Sequence, residues 1–147
     1  MFKSANLELL LITGLVFFSF NAVAAENEIF GTWVNQAGDG LIKISKQGEN
    51  YVGVIEGSNK PGSQNRKDEH NPDPELRSRP LLGLKILGDL SYKGDNEWED
   101  GWIYDPNNGD TYQCQATLED KNTLAIRGFI GFSLFGRTET WKRKTVE

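Results

Sequence analysis

The side chains able to do chemistry in this chain are few, and the densest group of them lies on one Pro-rich stretch. Asp68-Glu69-His70-Asn71-Pro72-Asp73 sets three carboxylates and the only histidine within six residues, a set able in principle to bind a metal or move a proton. No partner cysteine or nucleophile motif accompanies the histidine, the prolines impose an extended path, and ion pairs to Arg77 and Arg79 would neutralise the charges. The stretch therefore reads first as a structural loop, second as a ligand or partner contact, and last as a metal or catalytic site. Its contact set is Asp68, Asn71, Asp73, Arg77 and Arg79.

A second group, Asp105-Pro106-Asn107-Asn108-Gly109-Asp110, looks like a calcium loop, but its glycine falls one position early and Ala116 stands where a bidentate Glu is required. It reads as a hairpin turn whose Asn-Gly pair supplies positive φ. Arg127 sits mid-strand among apolar neighbours, where a guanidinium must be paired or solvated. It faces solvent or an acid such as Glu139, or it anchors a ligand carboxylate inside the fold. Cys114 falls on the apolar face of its strand and reads as a buried small hydrophobe. No Ser/His/Asp order, Gly-rich phosphate cradle or paired-carboxylate motif is present, which makes a catalytic function the least supported reading. No metal and no cofactor is expected.

Composition narrows the classes further. The chain has 147 residues, 16 Lys+Arg against 21 Asp+Glu, and a net charge of −5. That balance argues against a nucleic-acid binder. One cysteine and one histidine exclude an internal disulfide framework and a multi-Cys/His zinc site.

At the N-terminus, Lys3 precedes an apolar run from Leu9 to Phe18, and Asn21-Ala22-Val23-Ala24-Ala25 follows with small residues. Those are the parts of a secretory leader, spanning 1–25. The run is shorter than the ~20 residues a spanning helix needs, and no later stretch is long enough to cross a bilayer as a helix. An exported protein is expected, periplasmic or secreted, with residues 26–147 as its single domain.

The elements that must position these side chains are strands. Turn signals recur at Gly38-Asp39-Gly40, Gly48-Glu49-Asn50, Gly94-Asp95-Asn96, Asn107-Asn108-Gly109 and Glu119-Asp120-Lys121-Asn122, with period-2 patterning between them. The spacing predicts eight strands over 29–35, 40–46, 51–57, 83–91, 97–104, 111–118, 123–130 and 137–144. In the last, Glu139, Trp141 and Arg143 share one face. Short connections make neighbours antiparallel, and closure removes the edges that an open sheet must protect. The expected fold is an all-β, eight-stranded, up-and-down barrel.

One connection, 58–80, is long and carries four prolines. Within it Asp73-Pro74-Glu75 predicts one helical turn, with Asp73 as N-cap. A three-residue turn at Asn107–Gly109 is expected to pair Tyr104 with Tyr112 and Trp102 with Cys114. Phe132-Ser133-Leu134-Phe135 interrupts the last two strands and either folds back as a lid on the barrel end or stands exposed for ligand access, a membrane or a partner.

Three stretches carry a family resemblance: Gly31-Thr32-Trp33; the loop Asp68 to Gly83 with its Asn-Pro-Asp-Pro and two arginines; and Arg127-Gly128-Phe129 with Gly136 through Arg143. Gly101 to Tyr112 also fits. Over the whole chain past its leader the sequence resembles the bacterial domain of unknown function 2147. The resemblance implies an exported protein with a lipocalin-like barrel and no agreed activity. Lipocalins begin with Gly-x-Trp and lay an arginine from the far end over that indole; here Trp33 would meet Arg143 or Arg137, with Trp141 beside them.

The leading functional expectation is a non-catalytic barrel that binds or carries a small apolar or amphipathic molecule, with Tyr51, Trp102, Tyr112, Arg127 and Phe129 as its pocket. The alternative is an envelope interaction or scaffold protein that uses the 58–80 loop and the Phe132–Phe135 tip to contact another protein.

Overall fold

The computed structural model describes residues 25–145. The expected leader over 1–25 falls almost entirely outside the described residues. Within them the chain forms eight strands: β1 Gly31–Val34, β2 Gly40–Gln47, β3 Asn50–Ser58, β4 Lys85–Gly94, β5 Glu97–Asp105, β6 Asp110–Asp120, β7 Thr123–Phe129 and β8 Arg137–Arg143. Each pairs antiparallel with the next, and β8 returns to β1 to close the barrel. The closing seam is short, with Trp33 opposite Arg143 and Val34 opposite Lys142. Lys144 N–H extends it by donating to Thr32 O at 2.8 Å.

Alternation turns one side chain in two inward. On β6 and β7 the inward set is Cys114, Ala116, Leu118, Leu124 and Ile126, all buried. Trp33, Ile44, Tyr51, Leu87, Leu90, Trp98 and Trp141 complete a core that is nearly free of solvent. The floor packs as aromatics: Tyr51 meets Trp98 edge-on at 6.0 Å between ring centroids, and Tyr92 lies 5.1 Å from Trp98. Among the described residues the Tyr51 hydroxyl and the Trp98 indole N–H are buried without a hydrogen-bond partner. The ladder is interrupted between Gly53 and Val54, where β4 places Ile86 as an extra residue, and between Trp98 and Gly101. Such bulges bend a strand and tighten its twist, which an eight-stranded sheet needs in order to close.

Up-and-down order sends the connections alternately to two ends. One end holds the tight turns after β2, β4 and β6, the start of β1 and the end of β8. The other holds the β1–β2 turn, the long 58–84 connection, the β5–β6 turn and the β7–β8 tip.

The β5–β6 turn corrects an expectation. Asp105 pairs with Asp110, so four residues form the turn, not three; Ile103 faces Tyr112, Tyr104 faces Thr111, Trp102 faces Gln113 and Gly101 faces Cys114. The cause is local. Asp105 O accepts from Asn108 N at 3.3 Å and Gly109 N at 2.8 Å, while its carboxylate accepts from Asn107 N at 2.9 Å. These bonds close a wider turn than Gly109 alone would set. The one-residue change sends Trp102 outward, where its indole N–H donates to Asp89 at 2.8 Å.

Candidate functional site

The barrel is filled at one end and hollow at the other. At the end holding the 58–84 connection a cavity of about 360 Å³ opens. Ile42, Ile86, Ile103 and Ile126 supply apolar walls, Tyr112 and Trp141 aromatic ones, and Arg137 and Glu139 a charged pair. Asn35, Asp105, Asn107 and Asn108 rim the opening. The strands place the charges: Ile126 pairs with Glu139, Gly128 with Arg137 and Leu124 with Trp141, so Arg137, Glu139 and Trp141 share the inward face. Glu139 accepts from Arg137 Nη2 at 2.9 Å and from the Trp141 indole N–H at 3.3 Å. Arg137 remains 83% exposed along its side chain against 36% for Glu139, so the guanidinium stands at the opening with its carboxylate partner below it. The arrangement offers a greasy recess with one cation and one anion at its lip, which suits a molecule with an apolar body and a polar end.

Of the five pocket residues expected from sequence, the structure brings only Tyr112 to this cavity. Tyr51 lies in the closed floor, 1% exposed. Trp102 is on the outer face for the register reason given above. Phe129 pairs with Gln113 and Arg127 with Gln115, on the face opposite Gly128 and Ile126, so both lie outside. Among the described residues Arg127 meets no carboxylate: Nε donates to Ser133 O at 2.6 Å, Nη1 to Thr138 Oγ1 at 2.9 Å and Nη2 to Leu134 O at 3.3 Å. The Phe132–Phe135 segment that it holds forms a short 3-10 turn, Ser133–Phe135, and is exposed rather than folded over the barrel end.

The cavity residues that the sequence pattern left unnamed are the four isoleucines and Glu139. The signal for Glu139 was present: it alternates with Trp141 and Arg143, and whatever lies under Trp33 must point inward.

The 58–84 connection is built around Asp68. Lys67 bridges Pro80, Asp68 N donates to Arg79 O at 3.0 Å, and Leu81 N to Arg66 O at 2.9 Å, so residues 66–81 form a compact loop with its ends tied together. The Asp68 carboxylate is fully buried. It accepts from the Tyr104 hydroxyl at 2.5 Å, from Asn71 Nδ2 at 2.8 Å and from Arg79 Nε and Nη2, each at 2.8 Å. Burial opposes its charge, but the bonds from Tyr104, Asn71 and Arg79 and the charge of Arg79 outweigh that and hold its pKa below the ordinary carboxylate value. The same burial, with Asp68 beside it, pushes the Tyr104 hydroxyl up to about 12.

Asp73 caps the 3-10 turn Pro74–Leu76 as its sequence predicts, accepting from Glu75 N at 3.0 Å. Arg77 pairs with no acid among the described residues; its Nε donates to Asn71 O at 2.7 Å. Gly109 packs so closely beneath His70 O that a side chain there would collide with it, and its φ of +79° already favours glycine. The loop is thereby clamped to the β5–β6 turn. A smaller cleft of about 90 Å³ remains between loop and barrel. No group of three or more His, Cys, Asp and Glu side chains able to hold a metal occurs among the described residues, and Cys114 is buried with its thiol pushed up to about 12.

At the opposite end Arg143 lies over the Trp33 ring at 4.2 Å, a cation–π contact. Its guanidinium donates to Glu28 O, Phe30 O and Lys121 O, each at 2.6 Å. The Trp33 indole N–H donates to Ile29 O at 2.9 Å. Gly31, with φ +130°, would place a Cβ 2.8 Å from Arg143 Nη1, so the Gly-x-Trp spacing leaves room for the arginine.

This closed barrel is similar to a solved structure, protein HP1028 from Helicobacter pylori, described as belonging to the lipocalin family. The two share 24% identity at a TM-score of 0.71, over 78% of this chain and 82% of that one. The fold is thus a lipocalin-like barrel. No curated protein matches the chain. The family described as "Uncharacterized protein conserved in bacteria (DUF2147)" matches residues 31–143, and the chain belongs to that family.

Proposed function

We propose that this protein is an exported, non-catalytic carrier or binder of a small amphipathic molecule, working in the periplasm or outside the cell. The observation that supports the reading is the cavity of about 360 Å³ at one end of a closed barrel. It lies at the small end of the range that holds ligands, roughly 300–1,000 Å³. The floor below it is packed solid, so the guest sits at the mouth and does not thread the barrel. A short apolar chain or ring would lie against Ile103, Ile126 and Tyr112, with its polar end between Arg137 and Glu139. An anionic end would pair with the exposed Arg137. The 58–80 loop has an internal role in this reading, since Asp68, Asn71 and Arg79 spend their hydrogen bonds holding it against Tyr104.

Tryptophan fluorescence tests the reading. Trp141 lines the cavity, whereas Trp33 and Trp98 are buried in the core and Trp102 lies on the outer face. Titration with decanoate, after unfolding and refolding to strip any carried molecule, should give a saturable change at one equivalent that Trp141→Phe abolishes. Arg137→Gln should weaken decanoate and leave decanol unchanged. A flat titration for fatty acids, alcohols and cationic amphiphiles alike would sink the proposal.

A further inference from the structure

We propose that the β7–β8 tip is a docking surface for a negatively charged lipid bilayer. Ile130, Phe132, Leu134 and Phe135 are 75, 75, 80 and 77% exposed, four large apolar side chains within six residues. Together they present roughly 500–600 Å² of apolar surface, at the upper limit of what a monomer usually shows to water. Their patch is small. It falls short of the ~800 Å² per partner that a stable protein interface buries, which argues against a second copy of the chain as the occupant.

The backbone of the tip is prepared for an apolar medium. Phe132 N donates to Ile130 O at 3.1 Å, Phe135 N to Phe132 O at 3.0 Å and Gly136 N to Ser133 O at 3.1 Å. Arg127 then caps Ser133 O and Leu134 O from the barrel side. The carbonyls of residues 130, 132, 133 and 134 are thus all engaged within the chain. Each carbonyl so engaged is one that lipid, which has no solvent to offer it, would not leave bare.

Charge points the same way. From Lys121 to Thr138 the sequence contains no acidic residue, in a chain whose net charge is −5. At the tip itself the charges are Arg127, facing the carbonyls, and Arg137, which pairs with Glu139 at 2.9 Å yet is 83% exposed against 36% for its partner, so its outer side is placed to meet lipid phosphates while the phenylalanines enter. The tip stands at the same end of the barrel as the cavity mouth, and Arg137 belongs to both.

The experiment uses the full chain with one reporter at a time. Cys114 is buried and does not compete for label, so Leu134→Cys accepts a polarity-sensitive fluorophore at the tip, and Glu49→Cys accepts it on the β2–β3 turn at the opposite end. With vesicles of phosphatidylglycerol and phosphatidylcholine, the label at 134 should shift to the blue and be quenched by lipid-borne nitroxide, and the label at 49 should not. Phe132→Ser with Phe135→Ser should weaken vesicle binding about tenfold or more without lowering the unfolding midpoint, since both rings are exposed. The idea is overturned if the label at 134 does not respond or if 49 responds equally or instead, as leader-driven attachment would produce. Equal binding to phosphatidylcholine alone, or a response at 134 that depends on protein concentration without vesicles, overturns it as well.

Discussion

A single buried carboxylate sets how the long loop behaves with pH. Asp68 is charged, out of water and satisfied by Tyr104, Asn71 and Arg79. Its pKa is lower folded than unfolded, so its contribution to stability is complete above the unfolded value of about 3.9 and is lost as pH falls through the folded value. Tyr104 works on the other limb: raised to about 12, it contributes fully below about pH 10 and loses that contribution as pH climbs from there. Stability should therefore be level between about pH 5 and 9 and fall on both sides. Asp68→Asn should cost about 2–3 kcal/mol at neutral pH, since it leaves Arg79 without its charged acceptor, and should make the acid limb shallower. Tyr104→Phe should cost about 1–2 kcal/mol and shift the alkaline limb. Urea unfolding across pH measures both. An unchanged acid limb in Asp68→Asn would mean that the carboxylate does not hold the loop. The sequence brought Asp68, Asn71 and Arg79 into one group. It gave no sign of Tyr104, because that contact joins residues 36 apart through the turn that Gly109 clamps.

At the scale of the element, the β7–β8 hairpin shows the difference between support and site. Arg127 had two sequence readings, solvent or acid on one hand and ligand anchor on the other; it lies on the outer face, with no acid beside it among the described residues. It binds the carbonyls of its own tip. Arg127→Ala should leave the barrel's unfolding midpoint nearly unchanged, because the side chain lies outside the core, while amide exchange at residues 133–136 speeds up several-fold. Hydrogen exchange by mass spectrometry would decide, and equal protection in the two proteins would show that the turn needs no cap. The eight strands themselves were legible, each found within a few residues of its bounds, because alternating burial is a local property of the chain. Register across the β5–β6 turn was not. The sequence suggests that Gly109, suited to a left-handed bulge position, ends a three-residue turn. Asp105 instead spends its carboxylate on Asn107 and its carbonyl on Asn108 and Gly109, which lets Asp110 sit across from it. One residue of slip moved Trp102 to the outside and set Ile103 at the cavity wall, whereas Arg127 and Phe129 lie outside through the alternation of β7 and Tyr51 through the packing of the floor.

For the whole molecule, the division between a packed floor and an open mouth makes a further prediction. Gly128 lies on the inward face of β7 at the cavity wall. A Cβ built there meets Tyr112 and Ile103 at 3.5 and 3.6 Å, ordinary contact distances, and no positive φ forbids a side chain. Glycine in a strand costs about 0.5–1 kcal/mol relative to alanine. Gly128→Ala should therefore stabilise the barrel by about that amount. Gly128→Val, which also suits a strand, should be at least as stable while its methyl groups take space from the guest. If the cavity is the binding site, probe affinity should fall several-fold from glycine to valine as stability rises, the opposite of what a damaged fold would show. Isothermal titration of decanoate and thermal unfolding on the same three proteins separate the two quantities. Unchanged affinity in Gly128→Val would place any ligand elsewhere, the cleft beneath the 58–84 connection being the next place to look. A destabilised Gly128→Ala would mean that the mouth is less roomy than its walls imply.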